Sequence, residues 1–151
     1  MKFLHKELKW REFEKVCEEI IYSCVDESLY RVDFQRSRTY ANGKDLRMDC
    51  HIAERRQGGK SLVVDFKHFP VASLHKGEIL DTERYRIQCR ASAAVIMYSY
   101  QSNFTNNFFD IADQYNMHTY EVDFSRTFKV KSMFRRLFSR EEVFDPACYL
   151  R

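Results

Sequence analysis

The feature that most constrains the fold is a pair of strand-like segments on either side of two adjacent glycines. The segments "LRMDCHIAE" and "SLVVDFKHF" flank "RRQGGK", in which Gly58 and Gly59 can supply the positive φ angles that a short hairpin turn favours. The pattern therefore predicts an antiparallel hairpin. That hairpin carries Asp49, Asp65 and Lys67 among apolar neighbours, and charges at such positions need a reason.

The sequence around the hairpin predicts a mixed sheet flanked by helices. In "REFEKVCEEIIYSC" the apolar residues recur at helical spacing, and "SLYRVDFQ" is typical of a first strand, followed by a loop with a turn at Asn42-Gly43. After the hairpin we expect a helix in "EILDTERYRIQCRAS", a strand in "AAVIMYSY", a helix capped by Thr105, and a strand in "MHTYEVDF". The order αβββαβαβ, with a further C-terminal helix, indicates an α/β layer architecture.

Length and composition favour one ordinary globular domain. The chain has 151 residues, of which 44% are hydrophobic and 31% charged, with only four Gly and two Pro. We expect a core over residues 10–123 and a basic extension over 125–151. No apolar run approaches the roughly 18 residues of a membrane span, so we expect a cytoplasmic protein. The five scattered cysteines favour reduced thiols over a zinc site.

Basic residues are concentrated near the C-terminus, although the formal net charge is only +3. Residues 125–140 contain no acidic residue, and their basic residues are Arg126, Lys129, Lys131, Arg135, Arg136 and Arg140. Interleaved phenylalanines favour an amphipathic helix. It either lies along phosphates or an acidic surface, or is a solvated helix with its phenylalanines packed inward.

The charges on the hairpin suggest a metal site. Asp65 and Lys67 are two residues apart on one strand and so share a face. Asp49 is about nine residues before the turn and Asp65 about six after it, a difference that a bulge or splay could absorb. Two close carboxylates raise each other's pKa unless a cation joins them, and Mg²⁺ takes one or two carboxylates plus waters and phosphate oxygens. Lys67 would then lie against a scissile phosphate or an attacking water.

These residues resemble the PD-(D/E)XK nuclease motif, in which an aspartate, a hairpin-length spacer and an acid-x-Lys triplet form the active site. The resemblance is closest to Mrr-like restriction endonucleases. Phe13-Glu14, "ANGKDLRMD", "VVDFK" and the later "AAVIMYSYQSNFTNNFFDIADQYNMHTYEVD" are similar to successive motifs of that family, over roughly residues 10–123. It implies a restriction endonuclease-like fold.

The resemblance also implies a catalytic set. Glu14, Asp49, Asp65 and Lys67 would be catalytic, and Mg²⁺, or Mn²⁺ in its place, would be held by Asp49, Asp65, Glu14 and the Phe66 carbonyl. Glu14 borders the apolar stripe of the first helix, and Glu18 is the second choice. No proline precedes Asp49, and either Asp45 or Asp49 could be the first ligand. We favour Asp49 because we expect it to lie inside the strand.

The function predicted is Mg²⁺-dependent hydrolysis of DNA, as in restriction, homing or repair, with double-stranded DNA as partner. Cutting both strands favours a homodimer or higher oligomer. We expect Lys129, Lys131, Arg135 and Arg136 to contact phosphates. His51, on the face of Asp49, either touches a phosphate or is structural. A toxin-like ribonuclease of the same fold and an inactive nucleic-acid-binding module stay as alternatives.

Overall fold

The computed structural model describes residues 8–34, 38–39, 45–46, 48–124 and 143–151, which form three α-helices, nine strands and a 3₁₀ helix. The elements in chain order are α1 (Trp10–Cys24), β1 (Tyr30–Phe34), β2 (Arg38–Thr39), β3 (Asp45–Leu46), β4 (Cys50–Glu54), β5 (Ser61–Lys67), β6 (Ser73–Leu74), α2 (Lys76–Cys89), β7 (Ala93–Ser99), β8 (Asn103–Phe104), α3 (Phe108–Gln114), β9 (His118–Val122) and a 3₁₀ helix (Pro146–Cys148). The turn expected at Asn42-Gly43 and the basic helix expected over 125–140 lie outside the described residues.

Five strands form a mixed sheet in the order β1-β4-β5-β7-β9. β1, β4 and β5 pair antiparallel, whereas β5, β7 and β9 pair parallel. Every residue of β7 is buried, as expected for a parallel strand covered on both faces. The predicted α/β architecture is confirmed. Two small sheets, β2-β3 and β6-β8, were not predicted.

The predicted hairpin is present, but its turn is not centred on the glycines. Cys50 pairs with Val64, and pairing ends with the Glu54 N–H donated to the Lys60 carbonyl at 2.9 Å. The loop of residues 55–59 is centred on Gln57, which accounts for the unequal spacing of Asp49 and Asp65 without a bulge.

The two glycines serve the turn in different ways. Gly58 has a φ of +71°, the left-handed conformation that favours glycine. Gly59 is needed for space, because a Cβ there would lie 2.7 Å from the Glu54 Cβ and 2.9 Å from the Arg56 carbonyl oxygen.

Helices cover both faces of the sheet. α1 buries the predicted stripe against the face that carries Val64 and Phe66, and the buried residues of that stripe are Phe13, Val16, Cys17, Ile20 and Ile21. α2 and α3 pack on the opposite face, which carries Val63 and Ile96. In the part of the chain that the structure describes, no helix is long and apolar enough to cross a bilayer.

The prediction that Thr105 caps α3 was wrong, because the N-cap is Asn107. The Thr105 N–H donates to the Leu74 carbonyl at 2.9 Å, directly after the pairing of β8 with β6. The Phe108 N–H then donates to the Thr105 carbonyl at 3.1 Å. Thr105 is thus held in the preceding turn, and α3 begins later.

The C-terminal residues 143–151 pack on the same core as α1. Phe144 and Leu150 are buried in that cluster, and the Phe144 ring lies 5.5 Å from the ring of Tyr120 on β9. Lys60 Nζ donates to the Leu150 carbonyl at 3.0 Å. The packed core therefore includes residues beyond position 123.

Candidate active site

The hairpin brings Asp49, Asp65 and Lys67 together at one end of the sheet. We expected Asp49 to lie inside β4, but it lies immediately before that strand. Cys50 pairs with Val64, and Asp49, one residue earlier, lies beside Asp65, whose side chain points to α2. Lys67 ends β5 two residues later, on the same face as Asp65.

Hydrogen bonds fix one oxygen of each carboxyl group. Asp49 Oδ2 accepts from the Phe66 backbone N–H at 2.7 Å. Asp65 Oδ2 accepts from the hydroxyl of Thr82 on α2 at 2.9 Å and lies 3.5 Å from Lys67 Nζ. The two carboxyl groups also hydrogen bond to each other. The protein therefore holds the pair from the strand, the helix and the lysine at once.

Burial makes the charges of this group interact strongly. Asp65 is 1% exposed. Burial, and then repulsion from Asp65, raise the pKa of Asp49 to about 8. Burial by itself would lower the pKa of Lys67, but attraction to Asp65, Asp49 and, further away, Tyr85 and Glu78 raises it. A proton on Asp49 thus relieves the repulsion at neutral pH, and a cation could take its place.

The donor set fits a magnesium ion of the kind held by two carboxylates and water. Asp49 and Asp65 supply hard oxygen ligands, and replacing the proton between them by a cation would remove their repulsion. Within the described ranges, no group of three or more His, Cys, Asp or Glu side chains could hold a metal ion. A metal at this position would rely on waters or substrate oxygens for its other ligands.

Glu14 is not brought into a three-carboxylate group with Asp49 and Asp65. It lies on α1, which packs on the other face of the sheet, and is half-buried. Burial, and then repulsion from Asp49, Glu14 and Glu18, raise the pKa of the Cys17 thiol on α1. Glu14 and Glu18 as ligands stay predictions.

Of the remaining predicted residues, the structure describes His51 and the backbone of Asp45. The backbone of Asp45 pairs with Thr39 in the small β2-β3 sheet, and its side chain is outside the described part of the structure. His51 is half-buried on β4, between Asp33 on β1 and Val63 on β5. The four predicted phosphate-contacting residues, Lys129, Lys131, Arg135 and Arg136, lie outside the described residues.

Thr82 was not identified from the sequence. Ile79 and Thr82 are the fully buried residues of α2, one turn apart on the face that packs on the sheet. The signal available in the sequence was a threonine three residues after an isoleucine, within the helix that follows the Asp-x-Lys triplet.

His68 was also missed and holds the chain beside Lys67. Its Nε2 lies 2.5 Å from the Leu8 carbonyl oxygen, and its Nδ1 lies 2.7 Å from the Ser99 hydroxyl. Because a carbonyl only accepts, Nε2 carries a hydrogen and donates it to Leu8. The ring also stacks on Phe13 at 5.4 Å between centroids. His68 therefore fixes the end of β5 to the start of α1.

Comparison with known proteins identifies a shared fold. No protein-family model matches the chain, and no curated protein matches it. The solved structure of AF1548, described as a protein of unknown function, is similar with a TM-score of 0.51 and 10% identity, over 73% of this chain and 56% of that one. An EndoMS-dsDNA2 complex gives a TM-score of 0.48 and 12% identity, over 79% of this chain and 48% of that one. The chain spans about half the length of these two structures, and the similarity to AF1548 concerns the fold alone.

Proposed function

We propose that the protein is a Mg²⁺-dependent endonuclease of the PD-(D/E)XK superfamily, similar to Mrr-like enzymes, that hydrolyses double-stranded DNA. The observation that carries the proposal is that Asp49, held by the Phe66 N–H at 2.7 Å, lies beside Asp65, with Lys67 Nζ 3.5 Å from Asp65 Oδ2. Two buried carboxylates side by side are costly unless a cation joins them, and the lysine supplies one positive charge beside them.

Each residue has a distinct part in this proposal. Asp49 and Asp65 would hold the metal, and the Phe66 carbonyl would be a further ligand. Mg²⁺, or Mn²⁺ in its place, lowers the pKa of bound water and offsets charge on the reacting phosphate. Lys67 orients the attacking water and stabilises the negative charge that develops on the phosphate.

The topology supports a role for the basic segment in DNA binding. β5, β7 and β9 are parallel, so their carboxyl ends lie at the edge of the sheet where Lys67 ends β5. Phe124 follows β9 at that edge and is the last described residue before the basic segment. We propose that residues 129–136 contact phosphates on both sides of the cut. A homodimer would supply one such site for each strand.

The test is cleavage of supercoiled plasmid in Mg²⁺ by the wild type, Asp65→Asn and Lys67→Met. Asp81→Asn is the control, because Asp81 lies on the outer face of α2 and pairs with Arg84 at 3.4 Å. The proposal expects cleavage by the wild type and the control and loss of about 10²-fold or more in both site variants. Cleavage that survives both substitutions would refute it. Digestion of single-stranded RNA but not of DNA would assign the ribonuclease alternative, and no digestion of either would favour the inactive binding module.

A further inference from the structure

We propose that Thr82 is a positioning residue that determines which oxygen of Asp65 faces the metal. The inference rests on the proposed metal site and adds a residue from α2 to it. Thr82 is fully buried, and its hydroxyl lies 2.9 Å from Asp65 Oδ2 and 3.0 Å from the Glu78 carbonyl oxygen. Thr82 lies on α2 and so is not part of the Asp-x-Lys triplet on β5.

The single hydroxyl hydrogen of Thr82 goes preferentially to Asp65. A threonine hydroxyl has one hydrogen and donates fully to one acceptor at a time. A bond to a carboxylate is stronger than one to a carbonyl that already belongs to a helix. Lys67 Nζ also lies 3.5 Å from Asp65 Oδ2. Two donors therefore converge on Oδ2 and leave Oδ1 to face Asp49 and a cation.

α2 is a suitable reference point for this contact. Ile79, one turn before Thr82, is fully buried against the sheet. The helix begins at a capped end, where the Gly77 N–H donates to His75 Nδ1 at 2.9 Å. A carboxylate held only by Lys67 could turn with that flexible side chain, whereas the Thr82 hydroxyl fixes the carboxylate plane relative to a packed helix.

The experiment is titration of the purified protein with Mn²⁺, with free Mn²⁺ followed by its electron paramagnetic resonance signal. The variants are Thr82→Val, which keeps the shape and removes the hydroxyl, and Thr82→Ser, which restores it. Thr105→Val, in the turn before α3, is the matched control. We expect Thr82→Val to weaken Mn²⁺ binding about tenfold or more, and Thr82→Ser to stay within about threefold of the wild type.

The other outcomes would overturn either the inference about Thr82 or the metal site itself. Wild-type affinity in Thr82→Val, or equally weak binding in Thr82→Ser and Thr82→Val, would overturn the inference while the metal site stands. Absence of Mn²⁺ binding by the wild type would overturn the metal site and the inference with it. If circular dichroism shows that Thr82→Val does not fold, Thr82→Ala replaces it, because alanine also lacks the hydroxyl and is well tolerated in helices.

Discussion

Removing the charge of Asp49 should stabilise the metal-free protein while abolishing the proposed activity. In Asp49→Asn the side-chain oxygen can still accept from the Phe66 N–H, the bond that Asp49 Oδ2 makes at 2.7 Å. The amide cannot ionise, so the repulsion with Asp65 that contributes to the raised pKa of Asp49 disappears. The substitution thus removes the electrostatic repulsion within the carboxylate pair and keeps the packing around it.

The magnitude follows from the pKa of about 8 that Asp49 has in the folded protein. An unfolded chain releases this proton near pH 4, so between about pH 4 and 8 the folded state binds more protons than the unfolded state. The free energy of unfolding should therefore fall as the pH rises through this window, by about 1.4 kcal/mol per pH unit, and level off above pH 8. Between pH 5 and 8 the loss amounts to about 4 kcal/mol from Asp49 alone.

The assay is urea denaturation in a chelator at pH 5, 6, 7 and 8 for the wild type, Asp49→Asn and the control Asp81→Asn. The wild type and the control should lose stability as the pH rises, whereas Asp49→Asn should show a much smaller change and be the most stable at pH 8. Parallel stability profiles for the wild type and Asp49→Asn would refute the reasoning. Mg²⁺ at pH 8 should raise the melting temperature of the wild type but not of Asp49→Asn.

Three further predictions test the scaffold and the nucleic-acid surface. Phe144→Ala should lower the free energy of unfolding by about 3–5 kcal/mol in urea denaturation, because Phe144 is fully buried, while Val143→Ala, at a position 75% exposed, should change it little. Gly59→Ala should destabilise by about 1–3 kcal/mol, since the new Cβ would meet Glu54 and the Arg56 carbonyl; an unchanged denaturation midpoint would contradict this contact. Replacing the four basic residues of the 129–136 segment by Gln should reduce the slope of log binding constant against log salt by about 3–4 in DNA titrations, and an unchanged slope would exclude phosphate contacts there.

The elements that the sequence predicted well are those in which local pattern and burial agree. The stripe on α1 has helical spacing, and the segment that forms β7 is a short apolar run of strand length, so in both the local pattern was sufficient. The hairpin was predicted for the same reason, but its centre at Gln57 was not. A two-glycine pattern indicates a turn without stating how many residues the loop takes.

The parts that were missed depend on contacts between distant segments. Thr105 was a good cap candidate locally, but its N–H donates to the carbonyl of Leu74, thirty-one residues earlier, which holds Thr105 in the turn before α3. Thr82 and His68 act through partners on other elements, and no local pattern names those partners. The proximity of Asp49 and Asp65 was predicted because a hairpin relates its two strands by a simple register. The position of Glu14 depends instead on how α1 packs on the whole sheet.

The position of Asp49 explains how a fold can contain a carboxylate pair that destabilises it. Asp49 lies one residue outside β4, where pairing with β5 ends, so its carboxyl group is not part of the ladder behind it. The carboxylate pair lowers the stability of a sheet whose central strands are buried on both faces and whose two faces are covered by helices. Residues at functional sites are often less than optimal for stability. We therefore expect Asp49→Asn to be more stable than the wild type without metal and to gain nothing from Mg²⁺.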